Sequence, residues 1–392
     1  MGSFSRSPRG SRPRRRQYHW KKRLKRREVL GILFLIAVCI GPIPAALADQ
    51  KAPGMQVLTF PNVKLQMFGL PWFQEDKPLL FRLPTRLKDR FRKELWELAQ
   101  DPSGGRVRFK TDSKRLVLKA RCESDTTMYH ITSIGQNGFD LYVDGLYQGS
   151  TQAVDADGEE TGSWDLGPAG VEKEVTLYLP LYKKVIIREV DLDLKASVKP
   201  AGAYALKGPV VYYGTSITQG GCASNPGMAY PAILGRRLNV DFVNLGFSGN
   251  GHGDLSIAQV IPSIRPSAVV LDYWANVDAE EMRKTLPPFV ETLRKTLPKV
   301  PILVIGPYYS PTYGFDEEKK KNEEDFVEAR QKAGDGNILF IDGLTMIDRE
   351  TAYALVDGIH CNTLGFQRMA DVLEAPLAER LGLQGPSPLL AH

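Results

Sequence analysis

The sequence predicts an all-β sandwich over residues 56–198, followed by an α/β region over residues 206–384 built on a five-stranded parallel sheet. Three observations predict this. The first region holds short β-forming runs separated by turn signals, with little helix between them. The second alternates five apolar runs with amphipathic stretches, the pattern of a parallel sheet covered on both faces. Reactive residue types recur just beyond those apolar runs, where open α/β sheets carry their sites.

Ahead of both regions lies a leader. Residues 1–48 contain twelve Lys and Arg against one acid, Glu28, then an apolar run from Val29 to Ile40 and the small residues Ala46-Leu47-Ala48. A basic segment, an apolar stretch too short to span a bilayer comfortably and a small-residue cleavage site read as a signal peptide. Gly41, Pro42 and Pro44 argue against a retained anchor. Arg26-Arg27-Glu28-Val29-Leu30 resembles a twin-arginine export signal, so a periplasmic or extracellular location is expected by the Sec or the twin-arginine route. Taking the leader's bases and acid from the chain's 51 and 45 leaves 39 bases against 44 acids, a net charge of −5. The basic excess therefore belongs to targeting, nothing points to nucleic acid, and no stable membrane insertion is expected once the leader is gone.

In the first region, strands are expected at Arg106 to Lys110, Arg115 to Ala120, Phe139 to Val143, Val175 to Tyr178 and Val185 to Leu192. Asp-Gly pairs at 144–145 and 157–158 mark turns, and one helix is expected from Leu87 to Ala99. Tyr142, Tyr147, Trp164, Tyr178 and Tyr182 could stack on sugar rings, but aromatics at strand positions are more often core. His130 is expected to be a hydrogen-bonded structural residue. Val198 to Ala205 connects the two regions.

Beyond the connector, strands are expected at Val210 to Tyr213, Phe242 to Leu245, Ala268 to Asp272, Ile302 to Ile305 and Ile338 to Ile341. Helices are expected at Met228 to Leu238, Leu255 to Ile264, Ala279 to Leu297, Glu317 to Lys332 and Leu364 to Leu381. Gly214-Thr215-Ser216-Ile217 follows the first strand, so Ser216 stands at the tip of a tight strand-to-helix loop. By itself such a loop also suits a simple turn or a phosphate cradle. Gly246 to Gly251 follows the second strand, Tyr273-Trp274-Ala275-Asn276 the third, and Asp357-Gly358-Ile359-His360 precedes the last helix. A serine nucleophile needs a base. Of the histidines outside the leader, at 130, 252, 360 and 392, His360 is the best placed, because Asp357 one turn earlier can fix its tautomer and stabilise the imidazolium. On its own this pair also reads as a helix-start acid beside a surface histidine, and Asn276 and Gly249 as ordinary loop residues. Trp274 and Tyr230 could wall a pocket, with core packing the commoner use.

Cys122, Cys222 and Cys361 remain after the leader, without metal-ligand spacing. Cys222 and Cys361 both neighbour the expected site, where either a disulfide or two buried thiols would be compatible with an oxidising compartment.

Gly214-Thr215-Ser216-Ile217, Gly249, Asn276 and Asp357-x-x-His360, in this order, resemble the sequence blocks of the SGNH, or GDSL-type, hydrolase family. Gly138-Phe139-Asp140-Leu141-Tyr142 resembles the signature of a β domain that precedes one branch of it. The resemblance implies a three-layer α/β/α fold and an ester hydrolase needing no cofactor or metal. It implies Ser216 as nucleophile, His360 as base, Asp357 as orienting acid, and an oxyanion hole from the Ser216 and Gly249 N–H groups and the Asn276 amide. Thr215 stands where the family usually has an acid, and Ala275-Asn276-Val277-Asp278 where Gly-x-Asn-Asp is common. The expected activity is an exported serine esterase removing acetyl or other short acyl groups from a small-molecule or polysaccharide ester. Lipid or thioester hydrolysis, acyl transfer to a sugar, and a carbohydrate-binding surface protein with a vestigial hydrolase domain are the alternatives.

Overall fold

Among the described residues the first region holds nine strands, and a tenth opens the connector: β1 (Met55–Thr59), β2 (Gln66–Phe68), β3 (Arg106–Thr111), β4 (Arg115–Cys122), β5 (Phe139–Val143), β6 (Leu146–Thr151), β7 (Glu159–Asp165), β8 (Lys173–Tyr178), β9 (Val185–Asp193) and β10 (Val198–Lys199). The computed structural model describes residues 54–153 and 156–383, so the expected leader and His392 lie outside the described residues. The strands form two antiparallel sheets, in the orders β1-β9-β4-β7 and β10-β3-β8-β5-β6, with β2 paired to β3. Period-two alternation sets which face is buried. Leu116, Leu118 and Ala120 of β4 meet Val107, Phe109, Leu141 and Leu177 from the other sheet in a common core. Asp144 and Gly145 both take positive φ, 49° and 80°, and close the β5–β6 hairpin.

The five strands expected in this region are present, together with β1, β2, β6, β7 and β10. Strand β7, Glu-Glu-Thr-Gly-Ser-Trp-Asp, reads as polar because only alternate residues enter the core. The helix expected from Leu87 to Ala99 is instead a 3-10 segment, Thr85–Arg90, and a short helix α2 (Lys93–Leu98), following α1 (Phe73–Asp76). Extended backbone at Phe91 and Arg92 separates them, which sends Phe91 into the core and Arg92 toward Asp254. Helix α3 (Ser133–Asn137), capped by Thr132, was not expected.

The second region contains β11 (Val210–Gly214), β12 (Phe242–Gly246), β13 (Ala268–Asp272), β14 (Ile302–Ile305) and β15 (Ile338–Ile341), all parallel, in the order β12-β11-β13-β14-β15. Every residue of β11, β12, β13 and β14 is buried, as a sheet covered on both faces requires. Helices α4 (Ser216–Gln219), α5 (Tyr230–Arg237), α6 (Leu255–Val260), α7 (Ala279–Thr296), α8 (Glu317–Lys332) and α9 (Thr363–Arg380) connect or follow them. A capping box between Asp278 and Glu281 starts α7, and Asn362 caps α9. The strand order reverses direction at β11, so a crevice opens beyond the carboxyl ends of β11 and β13. Among the described residues no helix is long and apolar enough to cross a membrane.

The two sheet systems share core. Leu83, Leu95, Tyr142, Tyr178 and Tyr182 pack in one cluster with β11 to β15. Of the aromatics weighed for sugar stacking, Tyr142, Trp164, Tyr178 and Tyr182 are buried and Tyr147 is exposed. The signature Gly138-Phe139-Asp140-Leu141-Tyr142 makes this junction. Asp140 accepts from the Asn225 side chain at 2.5 Å and the Gly227 N–H at 2.6 Å, while the Tyr142 ring fills the space where a Gly227 Cβ would stand.

Buried arginines hold the same seam. Arg82, fully buried, donates to the carbonyl oxygens of Asp101 (2.7 Å), Leu98 (2.6 Å), Asn244 (3.2 Å) and Gly246. Its guanidinium thus closes the carboxyl end of β12, just before the loop that carries Gly249. Replacing Arg82 by Met leaves several buried carbonyls without donors. Unfolding by urea should show a loss of about 3 kcal/mol, the scale of one or two stranded buried acceptors.

Candidate active site

Ser216 opens α4 directly beyond β11. Its position follows from local sterics. Gly214 packs so closely on Thr218 and the Asp272 carbonyl that a Cβ there would collide with both. Thr215 caps the helix by accepting from the Ile217 N–H at 3.2 Å. Thr215, standing where the resemblance leads one to expect an acid, therefore works as a neutral N-cap. Ser216 sits at the first helical position, where an N–H has no partner within its own helix. Its hydroxyl reaches a cleft of about 670 Å³.

His360 comes from the loop before α9, and its Nε2 lies 2.8 Å from Ser216 Oγ across 144 residues of chain. Its Nδ1 lies 2.7 Å from Asp357 Oδ2. The carboxylate can only accept, so Nδ1 carries the proton and Nε2 presents its lone pair to the serine. Asp357 Oδ1 also accepts from the N–H groups of Ile359 at 3.1 Å and His360 at 2.9 Å. Partial burial works to raise the Asp357 carboxyl, but these donors and the imidazole outweigh it and hold it at about 2. The acid therefore stays ionised throughout the range in which an imidazole titrates.

Two further loops face Ser216. Gly249, with φ of 65°, lies on the loop after β12, and Asn276 on the 3-10 turn after β13; both line the cleft. The Asn276 side-chain oxygen accepts from the Gly251 N–H at 3.2 Å, which commits the carbonyl side of the amide and leaves its NH₂ as the donor end. Arg92 braces the Gly249 loop with bonds to Asp254 (2.7 Å), the Asn250 side chain (3.0 Å) and the Asn250 carbonyl (2.9 Å). His252, the other histidine beside a carboxylate in the sequence, bonds to the Gly249 carbonyl instead. Its neighbour Asp254 is engaged by Arg92.

One neighbour of this site departs from expectation. His130 is not a hydrogen-bonded structural residue. Its Nδ1 is buried with no partner among the described residues, and its ring lies 5.1 Å from that of His360, inside the cleft. Its distance from 360 in sequence and its lack of a motif concealed it. Cys222 and Cys361 are free and buried, one of the two states expected; burial pushes the Cys222 thiol up to about 12, so at neutral pH it is a thiol and not a thiolate. Trp274 is both core and cleft wall: it is buried, edge-on to Tyr308 at 4.7 Å, and lines the cleft.

Beneath the site lies a second carboxyl. Asp272 ends β13, where Thr218 at 2.8 Å and the buried Tyr230 at 2.9 Å both donate to its Oδ2. Complete burial pushes it up to about 7 against these donors. The antiparallel region reaches the site too, since Tyr182 donates to the Ser216 carbonyl at 3.3 Å and Gln219 donates to the Leu181 carbonyl at 3.0 Å.

A serine hydroxyl on an imidazole that is backed by a carboxylate, at the switch point of a parallel sheet, defines the class: a serine ester hydrolase. The model of the GDSL-like lipase/acylhydrolase family matches residues 207–378, and that for the N-terminus of SGNH hydro-type esterases matches residues 56–198. Residues 207–378 thus carry the GDSL-like lipase/acylhydrolase domain, preceded by the N-terminal domain of SGNH hydro-type esterases. Among solved structures it is similar to a GDSL-like lipase candidate from Bacteroides ovatus, at 27% identity and a TM-score of 0.76, over 85% of this chain and 100% of that one. It shares its fold with a salicylyl-acyltransferase from a tetracycline biosynthetic pathway (21% identity, TM-score 0.73, 84% and 98% covered). It also shares it with a family two carbohydrate esterase from Clostridium thermocellum in complex with cellohexaose (18%, 0.55, 72% and 96%). No curated protein gives a significant match.

The raised Asp272 carboxyl makes a prediction with a definite sign. A group held protonated in the folded state favours folding most below its ordinary value near 3.8, and that contribution fades as pH rises through about 7. Asp272→Asn should flatten the decline in unfolding free energy between about pH 4 and about pH 7. Urea midpoints that fall equally steeply in both proteins over that range would contradict it.

Proposed function

We propose that the protein is an exported esterase that removes short acyl groups from a carbohydrate through an acyl-enzyme, with Ser216 as nucleophile, His360 as base and Asp357 as its orienting acid. The observation that carries the reading is the continuous path from Ser216 Oγ to His360 Nε2 at 2.8 Å and from His360 Nδ1 to Asp357 at 2.7 Å.

As Ser216 Oγ attacks the ester carbonyl, its proton passes to His360 Nε2, and the Asp357 carboxylate stabilises the imidazolium. Negative charge gathers on the former carbonyl oxygen. Donors held on three separate loops, the Ser216 and Gly249 N–H groups and the Asn276 amide, face that charge without having to reorganise. His360 then gives its proton to the departing alkoxide, and a water activated by the same nitrogen releases the acyl group.

A sugar leaving group is supported by the cleft mouth, where Tyr313 is 79% exposed and lines the rim while Tyr129, 91% exposed, stands beside His130. Exposed aromatic faces suit stacking on a pyranose ring. A short acyl group is supported by the inner wall, where Trp274 and Tyr308 are both buried. Export rests on the basic and apolar leader of residues 1–48.

Ser216→Ala should abolish hydrolysis of p-nitrophenyl acetate, and Asn276→Ala should lower kcat by about a hundred- to a thousand-fold with a smaller change in KM, because its donor acts on the charge of the transition state. Release of acetate from acetylated xylan, with slower turnover of long-chain p-nitrophenyl esters, is expected for the carbohydrate substrate. Preference for long chains would identify a lipase, and equal rates for Ser216→Ala and the native protein would refute the assignment.

A further inference from the structure

We infer that the cleft contains a metal site overlying the Ser216–His360 pair, in which His130, Cys222 and His360 bind a zinc-like transition ion that shuts the enzyme off. The inhibitory part of this inference rests on the proposed role of His360 as base; the binding part does not.

One donor atom from each of the three residues lies within 4.8 Å of the other two. The residues come from unrelated parts of the chain: His130 from the loop between β4 and α3, Cys222 from the turn after α4, and His360 from the loop before α9. Two imidazoles and a thiol are a borderline-soft set, the kind that selects zinc over magnesium or calcium. Zinc–nitrogen and zinc–sulfur bonds of about 2.0 to 2.3 Å place the ligand atoms of a tetrahedral site roughly 3.5 Å apart, so the set must contract by about an ångström. His130 sits on an irregular segment, residues 123–132, that can supply this movement.

The surrounding bonds suit such a site. His130 Nδ1 is buried without a hydrogen-bond partner among the described residues, so a partly buried imidazole already lies beside His360 with a nitrogen uncommitted. On His360, Nδ1 is occupied by Asp357, so the free lone pair belongs to Nε2. A carboxylate that accepts from one ring nitrogen while the other nitrogen takes the metal is the usual support of a zinc-bound histidine. Cys222, 6% exposed and held at a φ of 72°, is buried at the same spot. Binding there releases the thiol proton to water, and the ion's own charge stabilises the thiolate that burial alone disfavours. The fourth position is left to solvent or to Ser216 Oγ.

The consequence is loss of the base. With its Nε2 lone pair donated to the ion, His360 can no longer accept the Ser216 proton, so inhibition should be competitive with ester and reversed by chelation.

Titrating the purified metal-free protein with Co²⁺ tests the site directly. A one-to-one complex with a thiolate-to-cobalt absorption band, displaced by Zn²⁺, is expected. Zn²⁺ should inhibit p-nitrophenyl acetate hydrolysis, with a chelator restoring it. Cys222→Ser should lose the band, and both Cys222→Ser and His130→Ala should raise the Zn²⁺ midpoint by about tenfold or more, each referred to its own metal-free rate. No thiolate band in the native protein, a midpoint unmoved by both substitutions, or stoichiometric zinc with full turnover would overturn the inference. If metal-free protein hydrolyses no ester, the proposed function fails while the cobalt spectrum still decides the site; if both variants misfold, the native spectrum decides alone.

Discussion

The register of the parallel sheet is the constraint on which the site depends. Gly214 is paired on one side with Gly246 and on the other with Asp272, so β11, β12 and β13 end abreast. Neighbouring strands are about 4.8 Å apart, so the three loops that leave these ends start within roughly 10 Å of one another. One carries Ser216, the next Gly249, the third Asn276. A shift of one strand by a single residue would turn its side chains to the other face and carry its loop away from the other two. The requirement for glycine at 214 has the same origin, because the Ser216 turn packs down onto the end of β13.

The antiparallel sheets belong to this arrangement and are no mere appendage. Arg82 and Arg92 fasten the chain around β12, one at the strand's end and the other at the loop beyond it. Tyr182 bonds to the Ser216 carbonyl, and Asp140 with Tyr142 grips the Asn225–Gly227 turn. His130 then enters the cleft itself. An arginine at such a seam can satisfy several carbonyl groups from one position and a tyrosine one, so a sheet with exposed loop ends is made rigid by polar contacts as well as by apolar packing. The signature Gly138-Phe139-Asp140-Leu141-Tyr142 is thus a docking device.

Two carboxyls within the same small region show how environment separates like groups. Asp357 is partly exposed, and three donors hold it ionised at about 2. Asp272 is wholly buried, and two hydroxyl donors fail to offset the loss of water, so it rises to about 7. The first can stabilise an imidazolium. The second serves as a strut beneath the Ser216 helix, tying Thr218 of α4 and Tyr230 of α5 to the end of β13.

Much of this was legible along the chain. Fully buried strands announce themselves as unbroken apolar runs, and the five expected in the second region match β11 to β15 to within a residue, since a sheet covered on both faces tolerates little else. Polar strands such as β7 stayed hidden because half of their residues face water, and the helix expected across 87–99 broke because Phe91 and Arg92 each have a distant partner that outweighs local propensity. Ser216, Gly249, Asn276, Asp357 and His360 could be picked out because each sits beside a strand end or in a short local pattern. The sequence by itself therefore determined the order of the elements and the residue types at the sheet's carboxyl edge. Only the tertiary structure decided that His130 and Cys222 stand against His360, that Arg82 closes β12 and that Asp272 is sealed from solvent, because such proximity and burial arise from packing between segments whose spacing in the chain carries no trace of it.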